Sequence, residues 1–366
     1  MKRCIALFAL FALLGAPLAA QSTSAQLAEV GWKALRNNDG DKAAAAFGEA
    51  LSLSPRDAAL HVGAGAAAHL LGREADAVRF LQRAVELEPR LLPASLLLGE
   101  IAYSQGNIDL AIRSYERALT EAPGNPQLTT RLADWKKEAT LHHGFEERRD
   151  DRFTVMFEGP GEEQLAVRAT TVLDGAFRRI GRTLGEYPTN PITVILYTQK
   201  QFRDVTSAPD WSDGLFDGNR IRLPVRGASQ DMPQFDRVLT HELTHAVVHS
   251  IAARGVPVWL HEGLAMYFEP RDAAEAEARL IESHVFVPLV DLESSFNQLN
   301  LQEATLAYDE SLVAVRTLIQ RVGTGLGLLL QDLGEGQPID QAIERFGFTY
   351  ASFNRDLARR LHAGTP

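Results

Sequence analysis

The chain has 366 residues, 45% of them apolar and 23% charged, with a formal net charge of −10. This is the composition of an ordinary globular protein with room for two domains and a sizeable core. The negative balance, with no basic patch to offset phosphate repulsion, excludes general nucleic-acid binding.

In chain order, Met1-Lys2-Arg3 followed by the apolar run Ile5 to Ala20 predicts a secretory signal peptide over residues 1–20. Cleavage is expected near Ala20–Gln21, with an uncleaved N-terminal anchor as the alternative. The run is short for a membrane span, and no later segment is expected to reach that length. The single cysteine, Cys4, precedes the apolar run, so the mature chain is expected to hold no disulfide and no lipid-attachment cysteine. A periplasmic or secreted location is the expectation, with stability supplied by the core.

Residues 24–125 repeat themselves. With Ser24, Ala58 and Leu92 as first positions, the eighth is Gly31, Gly65 and Gly99, and the twentieth is Ala43, Ala77 and Ala111. Phe47, Leu81 and Tyr115 take the twenty-fourth position, Ala50, Ala84 and Ala118 the twenty-seventh, and Pro55, Pro89 and Pro123 the thirty-second. Small residues let paired helices approach closely, and each proline ends the second helix of a pair. The pattern resembles the tetratricopeptide repeat, stacked helix-turn-helix units of 34 residues. Leu128, Leu132 and Trp135 then mark a terminal capping helix over residues 126–141, which completes a repeat domain over 21–143. Such an array offers a groove to a protein partner or serves as a spacer. The groove-facing positions are expected to include Trp32, Leu35, Arg36, Val62, His69, Leu96, Glu100 and Tyr103. With one cation among them, an apolar and aromatic groove for a helix or extended peptide fits better than a carboxylate clamp.

His142-His143-Gly144 and the charged run Glu146 to Arg152 mark the boundary to a second domain over 144–366. The paired histidines fit an exposed linker better than a metal site. Phe153 to Phe157 alternates like a strand, Glu162 to Leu184 has the period of a helix, and Ile192 to Tyr197 is a second strand. Gly218 to Val225 predicts a short strand, and the part through Ile221 and Arg222 is expected as an exposed edge able to pair with a substrate backbone. From Pro257 onward the pattern is mostly helical. The architecture expected is an all-α solenoid followed by an α+β domain.

His241-Glu242-Leu243-Thr244-His245 is an HExxH sequence inside a predicted helix from about Asp231 to Ile251. Histidines four apart lie roughly 40° apart around a helix, so both imidazoles can reach one metal ion. Glu242 falls on the flank of that face, placed for a metal-activated water. Leu239, Leu243, Ala246 and Val247 form the packing stripe. HExxH alone has three fixed positions and is weak. The second short helix, Trp259-Leu260-His261-Glu262-Gly263-Leu264-Ala265, opened by Pro257, strengthens it, because Glu262 can complete a His2Glu zinc site with one position left open. His249 lies one further turn, roughly 6 Å, beyond His245 and suits a supporting role. His261 points about 100° away from Glu262 and is the weaker ligand candidate.

HELTH followed by P-x-W-L-x-E-G-L-A resembles the peptidase MA-like domain of the gluzincin metallopeptidases, over roughly residues 150–362. Trp211 to Gly218, Ile221 to Pro224, and Ala307-Tyr308-Asp309-Glu310-Ser311 are similar to that family's flanking segments. The resemblance implies a zincin-like fold, a Zn2+ cofactor on His241, His245 and Glu262, and hydrolysis of protein or peptide substrates. It implies a water activated by zinc, Glu242 as its proton acceptor, and Tyr308 as donor to the tetrahedral intermediate. One position departs: some gluzincins carry an acidic residue four after the glutamate ligand, where this chain has Met266, so the partner orienting a zinc histidine must come from elsewhere. The alternatives are a catalytically silent interaction scaffold in the periplasm and a zinc hydrolase acting on other bonds.

Overall fold

The computed structural model describes residues 23–206, 213–225, 231–270 and 273–362. The expected signal peptide with Cys4, and the Trp211-Ser212 pair, lie outside the described residues. The chain divides into two compact units, Met1–His143 and Gly144–Pro366.

The first unit is a stack of antiparallel helix pairs. These are α1 (Thr23–Arg36) with α2 (Gly40–Leu53), α3 (Ala58–Leu70) with α4 (Glu74–Leu87), and α5 (Leu92–Ser104) with α6 (Ile108–Glu121). The helix α7 (Pro126–His142) closes the array. The pairs close because each eighth-position glycine leaves room for the large side chain of its own repeat. A Cβ on Gly31 would lie 2.7 Å from the Phe47 ring, one on Gly65 2.8 Å from Leu81, and one on Gly99 2.5 Å from Tyr115. The connection inside each pair turns through left-handed backbone at Asn38 (φ 58), Gly72 (φ 70) and Gly106 (φ 77), one repeat apart each time. Trp135 of α7 caps the last repeat, stacked on Tyr103 at 4.7 Å and tilted against Tyr115 at 4.4 Å. Glu100 accepts from the Tyr115 hydroxyl and from Arg131 at 2.9 Å, which ties α5 to α6 and α7. Two expected groove residues prove to be core. Leu35 and Val62 are buried, because the stacking of neighbouring pairs covers those faces as well.

The second unit joins a five-stranded sheet to a helical half. The strands are β1 (Glu146–Arg149), β2 (Phe153–Phe157), β3 (Ile192–Tyr197), β4 (Leu215–Phe216) and β5 (Arg220–Pro224), in the order β1-β2-β3-β5-β4. The inner pairs are parallel and the two outer ones antiparallel. The parallel β2–β3 step needs a long crossover, supplied by α8 (Glu163–Leu184). Its Ala169, Leu173, Ala176 and Ile180 bury one stripe against the core. The edge expectation for β5 is corrected here. Its residues Ile221 and Arg222 pair with Val194 and Ile195 of β3 on one side and with Phe216 and Leu215 of β4 on the other. The strand at that side of the sheet is β4, whose two residues are too short for a periodic signal.

After the short helix α9 (Gln199–Thr206), the helical half runs through α10 (Met232–Ile251), α11 (Val258–Phe268), α12 (Ala273–Ser283), α13 (Leu301–Val322), α14 (Leu326–Gly334), α15 (Ile339–Ala342) and α16 (Tyr350–His362). Asp231 caps α10 by accepting from the Gln234 N–H at 3.0 Å, and Asn300 with Glu303 forms a capping box on α13. Leu301–Gly334 is long and apolar enough to cross a membrane, by length and composition only, so the expectation that no later segment reaches that length is corrected. A 3-10 turn at Gly323–Gly325 interrupts it, and Leu318, Leu326, Leu329 and Leu330 are fully buried in the domain core, which accounts for the hydropathy.

Candidate metal centre

Two helices bring the candidate ligands together. α10 buries Phe235, Leu239, Leu243 and Val247, which turns His241 and His245 toward α11. α11 is held by Trp259, Leu260 and Leu264, all fully buried, with the Trp259 indole N–H donating to the Tyr350 hydroxyl at 2.9 Å. α11 also crosses α13 closely: a Cβ on Gly263 would lie 2.3 Å from the Ser311 carbonyl oxygen. That contact presents Glu262 to the histidines.

The Nε2 atoms of His241 and His245 lie 3.1 Å apart, and Glu262 Oε2 is 3.5 Å from the first and 3.6 Å from the second. Ligands held tetrahedrally at zinc bond lengths stand about 3.3 Å apart, so the three donors converge at the spacing such an ion requires. The donor set of two imidazoles and one carboxylate also matches catalytic zinc chemistry. His241, His245 and Glu262 thus form a candidate metal-binding triad.

The surrounding charges support one another. Burial pushes His241 down, but hydrogen bonds to Glu262 and Glu269 outweigh it and carry its titration up to about 10. His245 moves well below its ordinary value, chiefly by burial. Burial alone would raise Glu262; the charge of His245 and the hydrogen bond from His241 reverse this and hold it at about 2. Glu242 is 7% exposed, and burial pushes it up to about 7 against the pull of His241 and the Phe216 backbone N–H.

Glu242 meets the sheet at β4. A Cβ on Gly214 would lie 3.0 Å from Glu242 Oε1 and 2.9 Å from Val238, so the strand can pass this close only with glycine there. His249 and His261, weighed as further ligands, stay outside the triad. His249 packs edge-on against the Phe216 ring at 5.5 Å, and His261 stacks parallel on His245 at 4.4 Å. Tyr308 is half-buried, packed edge-on against Phe296 at 5.4 Å, and its phenol is pushed up by burial and by the charges of Glu262 and Glu242. It therefore stands within electrostatic reach of the triad.

The partner that orients His241 is Glu269, which the sequence reading did not name. His241 Nδ1 lies 2.6 Å from Glu269 Oε1, which leaves Nε2 facing Glu262. Glu269 caps the end of α11, seven residues after Glu262. Seven residues are two turns, so both carboxylates project from one face about 20° apart. That spacing was available as a signal, whereas the position four after Glu262 holds Met266, buried beside Ala276 and Leu312. No such partner reaches His245, whose Nδ1 is buried without a hydrogen bond among the described residues.

A helical-repeat unit followed by an α+β unit, with an HExxH helix and a second helix converging two histidines and a glutamate, defines a class of protein. The family model of the Peptidase MA superfamily matches residues 172–363, more than half of the chain, and the chain belongs to that superfamily. The tetratricopeptide repeat model matches residues 31–91 and 92–126, so the first unit is built from repeats that serve as protein-interaction modules. Among solved structures, the chain is similar to one described as the first TPR of Spaghetti (RPAP3) bound to an HSP90 peptide. The two are 21% identical, the match covers 33% of this chain and 99% of that one, and the TM-score is 0.31. No curated protein matches the chain.

Proposed function

We propose that this chain is a zinc-dependent peptidase whose repeats recruit a protein substrate or an adaptor. The observation that carries the reading is the convergence of His241, His245 and Glu262, with the buried Glu242 next to His241 on the same helix. His241, His245 and Glu262 would hold the ion, and Glu269 would fix the ring of His241. A bound Zn2+ supplies Lewis acidity, polarising a carbonyl and acidifying a water. Glu242 accepts the proton of the attacking water and passes it to the leaving amine, the task of a carboxylate base set beside the ligands. Tyr308 donates a hydrogen bond from its hydroxyl to the oxyanion that forms at the reacting carbonyl and keeps its proton. Export with removal of residues 1–20, to the periplasm or the exterior, belongs to the same proposal and rests on the charged and apolar pattern of the leader.

The test is zinc analysis of the purified chain together with cleavage of a mixed peptide library. The expected result is about one zinc per chain and hydrolysis that Glu242→Gln lowers by about 10²–10⁴-fold with the zinc retained. Bound zinc with no cleavage of any peptide would refute the peptidase reading and favour a silent interaction scaffold.

A further inference from the structure

We propose that Arg237 is a positioning residue for the metal centre, acting on His241 through Glu269. The inference rests on the reading of His241 as a metal ligand. Arg237 stands four residues before His241 on α10, one turn away on the same face. Its Nη1 lies 3.6 Å from Glu269 Oε2, while Glu269 Oε1 takes the Nδ1 side of His241 at 2.6 Å. The Glu269 carboxylate is thus engaged from both ends, by a cation on one oxygen and an imidazole on the other.

The guanidinium is itself held. Its Nε donates to Gln234 Oε1 at 2.9 Å and its Nη2 donates to the same oxygen. Gln234 in turn donates from Nε2 to Asp213 Oδ2 at 2.9 Å, and Asp213 directly precedes the Gly214 that lies against Glu242. A line of side chains therefore runs from the start of the β4 segment to the metal-facing histidine. Arg179 donates to the Phe268 carbonyl at 3.2 Å and so braces the backbone just before Glu269.

Physical chemistry makes the arrangement consequential. A carboxylate as buried as Glu269, 8% exposed, stays in place as an anion only with partners that compensate its lost hydration. A fixed anion at Nδ1 keeps the other ring nitrogen as the metal-facing donor and sets the ring plane. Arg237 touches neither substrate nor metal; it holds the group that orients the ligand.

The test is a double-mutant cycle on the full chain, read as zinc affinity by chelator competition. Glu269→Gln is expected to weaken zinc binding by about 10–100-fold. Arg237→Met, which keeps the aliphatic stem and loses the charge, is expected to weaken it by about tenfold, and Arg237→Lys to recover most of that loss. In the Glu269→Gln background, Arg237→Met should change affinity by less than about twofold, because the two residues act in series. Additive effects, or an Arg237→Met affinity within about twofold of the wild type, overturn the inference and leave the peptidase reading standing. A wild-type chain that binds no zinc overturns both. Arg237→Lys keeps the test decisive if the methionine variant does not fold: a lysine variant that binds zinc as weakly as Glu269→Gln refutes the role assigned to the charge.

Discussion

Glu310, on α13, is 1% exposed, with one carboxyl oxygen accepting the Val287 N–H at 3.0 Å and the other buried without a hydrogen bond among the described residues. Burial raises its titration from 4.5 to about 8, against a smaller opposite pull from the Val287 N–H. Between those values the folded chain keeps a proton that the unfolded chain has released. The stability linked to this group is therefore full below about 4.5, falls as pH rises, and is lost above about 8. At about 1.36 kcal/mol for each tenfold change in proton affinity, the loss has an upper bound of about 5 kcal/mol, and water entry beside the ionised carboxylate brings it to about 2–3 kcal/mol. Glu310→Gln removes the titration and keeps an acceptor for Val287. Urea unfolding of the two chains at about pH 5 and about pH 9 measures the difference. Near pH 5 the variant should be equal or weaker by about 1 kcal/mol, from its extra buried N–H. Near pH 9 it should be the more stable by about 1–3 kcal/mol, the wild type's loss less any deficit seen at about pH 5. Parallel pH profiles for the two proteins would refute the argument.

Gly263→Ala sets a methyl against the Ser311 carbonyl and should lower stability by about 3 kcal/mol, with weaker zinc binding because Glu262 shifts with its helix; unfolding and chelator competition measure both. Tyr308→Phe should lower kcat by about 10²-fold at unchanged zinc content and nearly unchanged KM, and an unaltered kcat would remove the hydroxyl from the chemistry. Deleting residues 21–143 should spare hydrolysis of short peptides and slow processing of a folded protein substrate, once the remaining domain is verified as folded and zinc-loaded. Equal loss on both substrate types would argue against recruitment by the repeats.

What the sequence made legible follows from periodicity. The repeats carry their packing in single positions that recur, so Gly31, Phe47 and Ala43 and their counterparts could be read directly. α10 and α11 were legible because their apolar stripes run for several turns beside a fixed ligand spacing. β1 was not, since Glu146 to Arg149 are all exposed and charged and the strand is held by backbone pairing to β2. A charged outer strand guards a sheet edge against pairing with other chains, and that same composition imitates a linker. Glu269 was not legible because it stands two turns beyond Glu262, whereas the family pattern places the acid one turn on, where this chain has Met266. Leu35 and Val62 were misplaced because facing the next helix pair and facing a groove give the same helical period.

The glycine seats also impose an order on the array. Phe47 reaches past its own repeat to Gly63 of the next, where a Cβ would lie 2.3 Å from its ring. The counterpart of Gly63 one repeat later is Leu97, buried in a cluster with the smaller Leu81. Large meets small at one junction and medium meets medium at the other. A duplicated copy of residues 58–91 would set Leu81 against a second Gly63 and leave a void, and a duplicated copy of 92–125 would drive Tyr115 into a second Leu97. The repeats share a backbone yet are not interchangeable bricks, and shuffling or lengthening the array by simple duplication would be penalised at the new seam.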